Sequence, residues 1–130
     1  MLTPVNPPTL PASPFYSHGV EVFSAQRLLF ISGQVGVDAD GDIPDGIAAQ
    51  ARLANNNLEA VLAAAGMAST DIVKATIYLT NRADIEPFMA ATHDALTDPP
   101  PATTLLIVQG LADPRLLVEI EAVAAQTAHP

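Results

Sequence analysis

Residues 117–124 read LVEIEAVA, and they decide the fold because apolar and acidic side chains alternate along them. Successive side chains of a β-strand point to opposite faces of the sheet. One face of this strand carries the carboxylates of Glu119 and Glu121, and the other carries Val118, Ile120 and Ala122. The stretch therefore predicts a closing strand, residues 117–125, with one buried face and one face that the rest of the chain leaves uncovered.

The residues before this strand predict four further strands and two helices. Alternation and β-branched residues indicate strands over residues 21–23, 28–32, 71–80 and 103–108. A long helix begins with Asp45 as its cap and ends at Gly66, and its shallow apolar stripe consists of Ile47, Ala51, Ala54, Leu58, Val61 and Ala65. A shorter helix ends at the three prolines 99–101 and carries on one face Ile85, Phe88, Met89, Thr92 and Leu96.

These elements follow the order ββαβαββ, which predicts an α+β fold with two helices on one face of a sheet. The length of 130 residues predicts a single domain, residues 1–130. Residues 1–14 carry five prolines without periodicity, and we expect them to form an extended arm. Because each helix has a single apolar stripe, the sheet face opposite the helices must contact water or another subunit.

The composition limits the possible partners. Fourteen acidic residues against five scattered basic ones give a net charge of −9, which disfavours nucleic-acid binding. Only 15% of residues are charged and 49% are hydrophobic, which indicates an oligomer interface unless alanine raises the hydrophobic fraction without forming a patch. There is no cysteine, no signal-peptide pattern and no apolar run of membrane-spanning length, so we expect a cytoplasmic protein without membrane contact.

Glu119 and Glu121 are the candidates for chemistry on the uncovered face. A carboxylate partly buried at an interface can act as a general base. The alternative is that both glutamates lie on the solvated face of an edge strand and have no chemical role. Ser32 and Gly33 end another predicted strand, and the absent side chain of Gly33 suits either a ligand that approaches the backbone closely or a β-bulge.

We expect no metal site. The three histidines, His18, His93 and His129, have no metal-ligand spacing. Residues 38–42 (DADGD) gather three aspartates, but no glutamate stands at the twelfth position of a calcium loop. A plain turn is therefore expected there.

Five segments, taken in order, resemble the RidA/YjgF (reactive intermediate deaminase) family along nearly the whole chain. They are PFYSHG at 14–19, FISGQV at 30–35, the long-helix residues QAR at 50–52 with NL at 57–58 and AG at 65–66, DIVKAT at 71–76, and LVEIEAVA at 117–124. Each segment alone is a weak signal, whereas five in this order and spacing are specific.

The resemblance implies a chorismate-mutase-like fold and a homotrimer in which the sheets form a central barrel with the helices outside. It also implies ligand sites in the clefts between subunits. Deaminase members hydrolyse imine or enamine intermediates there, giving a 2-keto acid and ammonia without a cofactor. At the matching positions Glu119 would position the attacking water, and the small-molecule ligand would contact Tyr16, Ser32 and Gly33.

The chain departs from the family pattern at the arginine that binds the substrate carboxylate, where it carries Thr103. A threonine can hydrogen-bond a neutral polar group but supplies no cation. The stretch before Pro101 is also several residues shorter than in the family, and Thr92 stands in place of its asparagine. Neither Lys74 nor Arg115 is an evident replacement for the arginine.

Three functions follow from the resemblance and this departure. The first is a hydrolase or deaminase that acts on a neutral or differently anchored small molecule, with Thr103 among its binding residues. The second is a non-catalytic metabolite-binding trimer. The third is RNA cleavage, a role assigned to some relatives, which the net charge of −9 disfavours.

Overall fold

A computed structural model of the chain describes residues 2–127. Its six strands are β1 (Leu2–Val5), β2 (Gly19–Val22), β3 (Ala25–Val35), β4 (Ile72–Leu79), β5 (Ala102–Ile107) and β6 (Val118–Thr127). Its two α-helices are α1 (Ile47–Ala64) and α2 (Ile85–Ala91), and short 3-10 turns cover Ser69–Asp71, Arg82–Asp84 and His93–Ala95. The predicted α+β order is confirmed, with one additional strand at the N-terminus.

The strands form two sheets. The larger sheet has the order β3-β6-β4-β5, in which β4 and β5 are parallel and the other neighbours are antiparallel. The closing strand β6 therefore lies inside the sheet, between β3 and β4. The alternative in which its glutamates sit on an edge strand is wrong, because both sides of β6 are hydrogen-bonded to neighbouring strands.

The N-terminal arm is only partly as predicted. Its first residues are extended, but Leu2–Val5 pair with β2 in an antiparallel ribbon, with Leu2 opposite Val22. This pairing was not predicted from the sequence, since Pro4 is a poor strand residue that is tolerated at sheet edges. The loop that follows turns back on itself, where the Leu10 N–H donates to the Pro7 carbonyl at 3.1 Å.

Both helices pack on one face of the larger sheet, as predicted. Val118, Ile120 and Ala122 on β6 are buried together with α1 residues Ala51 and Ala54, which have no exposed surface. Alanine at these positions lets the helix approach the sheet closely. The core also contains side chains that the predicted stripe missed, namely Leu62 on α1 and Met67 just after it.

The predicted C-terminal end of α1 is correct, whereas its predicted N-terminal cap is not. Asp45 was wrong as the cap, because Gly46 occupies that position with φ 87° and no side chain caps the helix. Gly66 is confirmed as the stop, with φ 71° in the left-handed region. Its N–H donates to the Ala63 carbonyl at 2.9 Å, and the next N–H, of Met67, reaches back to α1 as well.

The second helix is shorter than predicted. It ends at Ala91, and a 3-10 turn over His93–Ala95 replaces its last turn, so that the helix stops well before the prolines. At the end of α2 the Thr92 hydroxyl donates to the Phe88 carbonyl at 2.9 Å, a local bond that competes with continued helix. Within residues 2–127, no helix is long and apolar enough to cross a bilayer.

Candidate functional site

The sheet separates the predicted site residues into two groups. On β5, Thr103 lies opposite Ala75 of β4, which in turn lies opposite the buried Ala122 of β6. Thr103 therefore lies on the helix-covered face. Glu119 lies opposite Tyr78 on the other face, which we call the open face. Within one chain, Thr103 and Glu119 cannot meet across the sheet.

Thr103 and Tyr16 line a cavity of about 280 Å³ on the helix-covered face, which we call the helix-side cavity. Thr92, at the end of α2, also lines it. Most of its wall is apolar and includes Leu58, Ile77, Phe88, Met89, Leu105 and Ile120. The structure thus brings two predicted ligand contacts together in a pocket with the composition of a small-molecule site.

The polar groups of the cavity wall are few and largely engaged. The Thr103 hydroxyl donates to the Pro101 carbonyl at 3.2 Å. The Tyr16 ring meets the His18 ring edge-on, with their centroids 5.2 Å apart, and within residues 2–127 the Tyr16 hydroxyl makes no hydrogen bond. No lysine, arginine or carboxylate belongs to the described residues that line the cavity.

The two basic residues considered as replacements for an arginine at position 103 are engaged elsewhere. The Arg115 guanidinium forms an ion pair with Asp113, with Nη2 and Oδ2 2.9 Å apart, and its hydrogen bonds to Asp113 lower the pKa of that carboxyl to about 2. Lys74 Nζ donates to the Thr104 hydroxyl at 2.6 Å on the open face. Neither side chain lines the helix-side cavity.

On the open face, Ser32 and Gly33 form a β-bulge against β6, where the register shifts between Ile31 and Gln34. The bulge reading of Gly33 is therefore confirmed. The Glu119 side chain fills the space beside Gly33, because a Cβ at residue 33 would lie 2.6 Å from the carboxyl carbon of Glu119. Glycine at this position allows the Glu119 side chain to lie against the β3 backbone, so three predicted site residues form a second group.

Tyr78 distinguishes the two glutamates of the open face. Its hydroxyl donates a hydrogen bond to Glu121 Oε1. This bond, together with burial and the charges of both glutamates, raises the pKa of Tyr78 above its ordinary value. Among residues 2–127 no group donates a hydrogen bond to the side-chain carboxylate of Glu119. Glu119 is thus the carboxylate that remains available to a water or a ligand.

Sequence reasoning missed Gln50, which supports the start of β6. Its buried amide donates to the carbonyls of Pro44 and Arg115, each at 3.0 Å, and accepts the Leu117 N–H at 2.8 Å. It therefore fixes the backbone two residues before Glu119. The signal was a polar residue beside the apolar stripe of α1, and one sequence alone cannot show where its amide points.

The aspartate cluster and the histidines have local contacts. The carboxylates of Asp38, Asp40 and Asp42 gather within 4.8 Å, and Asp38 Oδ1 accepts the backbone N–H groups of the other two at 2.9 Å, as in the predicted turn. His18 Nε2 lies 2.7 Å from the Pro11 carbonyl oxygen. His129 lies outside the described residues.

This arrangement can be compared with known proteins. The family model described as Endoribonuclease L-PSP matches residues 8–126. The crystal structure of YyfB, a Rid-family protein of unknown function from Yersinia pestis, superposes with a TM-score of 0.86 at 35% identity, covering 96% of this chain and 98% of that one. The chain belongs to the RidA/YjgF family.

Two further similar proteins have names that state a reaction or a bound molecule. The bovine 2-iminobutanoate/2-iminopropanoate deaminase is 36% identical over 113 residues, which are 85% of this chain and 80% of the bovine protein. The Escherichia coli TdcF structure with bound serine superposes with a TM-score of 0.71 at 30% identity, covering 89% of this chain and 91% of TdcF. Family membership and the α+β fold expected from the sequence are thereby confirmed.

Proposed function

We propose that this RidA/YjgF-family protein is a small-molecule hydrolase that acts on an imine or enamine in clefts between the subunits of a homotrimer. The observation that carries the proposal is the division of the candidate residues between the two faces of one sheet. Tyr16 and Thr103 line the helix-side cavity, and Glu119 lies beside Gly33 on the open face. A complete site then needs one group from each of two neighbouring copies.

The open face supports assembly. Its β3 residues Leu28 and Phe30 are 56% and 75% exposed, and Leu106 on β5 is 45% exposed. Apolar side chains gathered on one sheet face favour contact with another subunit. The chorismate-mutase-like trimer that the family resemblance implies would cover this face and bring the edge of one sheet towards the next copy.

The names of relatives support the chemistry. The bovine relative is named as a deaminase of 2-iminobutanoate and 2-iminopropanoate, and TdcF was crystallised with serine. Both names point to small nitrogen-containing molecules as ligands. An RNA substrate is disfavoured in this chain by its net charge of −9.

The proposed reaction uses water and one carboxylate. Glu119 takes a proton from a water molecule as the water oxygen bonds to the imine carbon, and then passes the proton to the nitrogen. This gives a carbinolamine, whose hydroxyl proton moves to the nitrogen, again by way of Glu119, as the C–N bond breaks. Ammonia leaves, and a carbonyl compound remains. Because the reaction is hydrolysis by general acid–base catalysis, it needs neither a cofactor nor a metal. Tyr16 and Thr103 would hold the substrate for this attack.

The substrate would differ from that of relatives with an arginine at position 103. A carboxylate bound by a guanidinium fork gains charge-assisted hydrogen bonds that a threonine cannot supply. We therefore propose that the substrate is neutral, or anchored differently, and that 2-aminoacrylate and similar carboxylate-bearing imines are turned over slowly by this protein.

The test is the release of ammonia from neutral and carboxylate-bearing imines by the wild type and by Glu119→Gln. We expect Glu119→Gln to lower the turnover of neutral imines by at least about a hundredfold, since general-base catalysis contributes on that order. Glu21→Gln, an exposed glutamate on β2, is the matched control and should have no effect. Full activity in Glu119→Gln would refute the mechanism, and ligand binding without any turnover would favour the non-catalytic trimer.

A further inference from the structure

We propose that the helix-side cavity binds a neutral, mainly apolar molecule that presents an N–H group to the hydroxyl oxygens of Thr92 and Thr103. The inference rests on the proposed function, since this cavity is the substrate half of the proposed site. It goes further because it specifies the hydrogen-bonding polarity of the ligand, which is opposite to that of a carboxylate.

The charge of a ligand decides whether the helix-side cavity can bind it. The cavity wall contains aromatic and aliphatic side chains such as Phe15, Phe88 and Leu105, and none of its described residues is basic. Moving a charged group from water into such surroundings without a counter-ion is costly, and the group is either excluded or neutralised. A carboxylate in the cavity would meet no cation, so the cavity selects neutral molecules.

The threonine hydroxyls at the cavity all donate in the same direction, towards the backbone. Three threonine hydroxyls at the cavity donate their hydrogens to backbone carbonyls, those of Thr92 to Phe88, Thr97 to Pro99 and Thr103 to Pro101. A hydroxyl has one hydrogen and two lone pairs, so an engaged hydroxyl can still accept. These side chains therefore offer acceptors to a ligand, and a matching ligand must be a donor.

The Tyr16 hydroxyl offers a donor at the cavity wall. Within residues 2–127, the Tyr16 hydroxyl makes no hydrogen bond and can donate one to a ligand. A primary amide, an imine or an enamine combines N–H donors with an acceptor or a π-system, and so matches both threonine oxygens and the tyrosine. A carboxylate has acceptors only and would leave the threonine oxygens opposite other acceptors.

The volume of the cavity limits the size of the ligand. A cavity of roughly 150 Å³ lined by leucine, isoleucine and phenylalanine holds one benzene molecule. The helix-side cavity, at about 280 Å³, has room for an aromatic ring or a branched aliphatic group together with a small polar head. The ligand class is thus a neutral imine, enamine or amide with an apolar body.

Three matched probes separate charge from donor character. Benzamide is neutral and has N–H donors, acetophenone is neutral and has an acceptor only, and benzoate is ionised at neutral pH and has acceptors only. We expect calorimetric titration of the wild-type protein to show that benzamide binds at least about tenfold more tightly than either of the others, because an unmatched buried polar group costs 1–3 kcal/mol or about 5- to 150-fold in affinity.

Variants assign the binding to the cavity. Thr103→Val and Thr92→Val keep the shape of the side chain but remove the acceptor, and each should weaken benzamide about three- to tenfold while leaving acetophenone unchanged. Thr104→Val makes the same change on the same strand but on the open face, and should leave both probes unaffected. Ala95→Phe, which fills the cavity from the turn after α2, should abolish the binding of every probe.

The outcomes also separate this inference from the proposed function. Benzoate binding as tightly as benzamide, benzamide binding that is insensitive to Thr103→Val and Ala95→Phe, or no binding of any probe would each overturn the inference. Glu119-dependent imine hydrolysis could still stand in those cases. Conversely, the expected probe pattern with no hydrolysis of any imine would uphold the inference and refute the hydrolase.

Discussion

The carboxyl group of Glu119 occupies the space that a side chain at residue 33 would need. A Cβ placed on Gly33 would lie 2.6 Å from the carboxyl carbon and 2.9 Å from the Cγ of Glu119. Such distances are far inside van der Waals contact, so Gly33 and Glu119 form a matched pair across β3 and β6. The position of the proposed base thus depends on a missing side chain in the neighbouring strand.

Gly33→Ala should therefore separate activity from stability. The added methyl group pushes the Glu119 carboxylate away, and we expect imine turnover to fall by about tenfold or more, since small misplacements of catalytic groups are costly. The atoms that must move belong to the far end of the flexible Glu119 side chain, so the free energy of unfolding should change by less than about 1 kcal/mol. Gly110→Ala, which meets no atom within 4 Å, is the control. Unchanged turnover in Gly33→Ala would contradict this role of the glycine.

Gln50→Leu should destabilise the fold. The leucine is similar in size but leaves two carbonyls and the Leu117 N–H without their buried partner. We expect the free energy of unfolding to fall by about 2–4 kcal/mol, because unsatisfied buried polar groups cost 1–3 kcal/mol each and part of this cost is relieved by relaxation. Urea denaturation measures the change, with the exposed Gln109→Leu as control. A loss no greater than that of the control would show that Gln50 does not fix the start of β6.

The Tyr78–Glu121 hydrogen bond should appear in the alkaline titration. The protonated phenol donates this bond, so the folded state raises the pKa of Tyr78 above 10.0. The bond contributes its full stabilisation at pH values below the pKa of Tyr78 in the unfolded state. This stabilisation is lost as the pH rises through the raised pKa of Tyr78 in the folded state. In a Tyr16→Phe background Tyr78 is the only tyrosine of the chain. Glu121→Gln should then bring the pKa of Tyr78 back towards 10.0. Phenolate absorbance against pH provides the measurement, and a titration midpoint unaffected by Glu121→Gln would contradict the bond.

Assembly should depend on the open face. Light scattering should give a mass about three times the chain mass of 13.5 kDa. Phe30→Asp places a charge on an exposed apolar position of β3 and should dissociate the trimer, whereas Leu10→Asp in the N-terminal loop should not. A folded wild-type monomer at micromolar concentration would refute the interface and the intersubunit clefts together.

Thr103→Arg should give the protein activity towards carboxylate-bearing imines. Residue 103 points into the helix-side cavity, so an arginine there would supply the missing cation for 2-aminoacrylate while Glu119 and its water remain in place. We expect keto-acid release to rise at least several-fold over the wild type, and Glu119→Ala in the same background to abolish the gain. No gain in a correctly assembled Thr103→Arg trimer would show that the cavity, with its short segment before Pro101, has been reshaped for a different ligand.

The sequence by itself determined the order of the strands and helices that follow β1, and the two faces of the closing strand. Alternation along residues 117–124 is a local property, and β-strand geometry alone assigns Glu119 and Val118 to opposite faces. The positive φ of Gly66 is likewise local, because a residue without a Cβ adopts that conformation at little cost. The family also followed from the sequence, since five segments in order carried it.

Only the tertiary structure decided which groups meet. That Glu119 lies against Gly33, that Thr103 faces a cavity on the other side of the sheet, and that Gln50 bonds to Leu117 all depend on strand order and register. Strand order is fixed by packing between residues far apart in the chain, which leaves no local trace in the pattern of apolar and polar residues. The sequence could therefore name the residues of the site, whereas their division into two groups appeared only when the sheet was assembled.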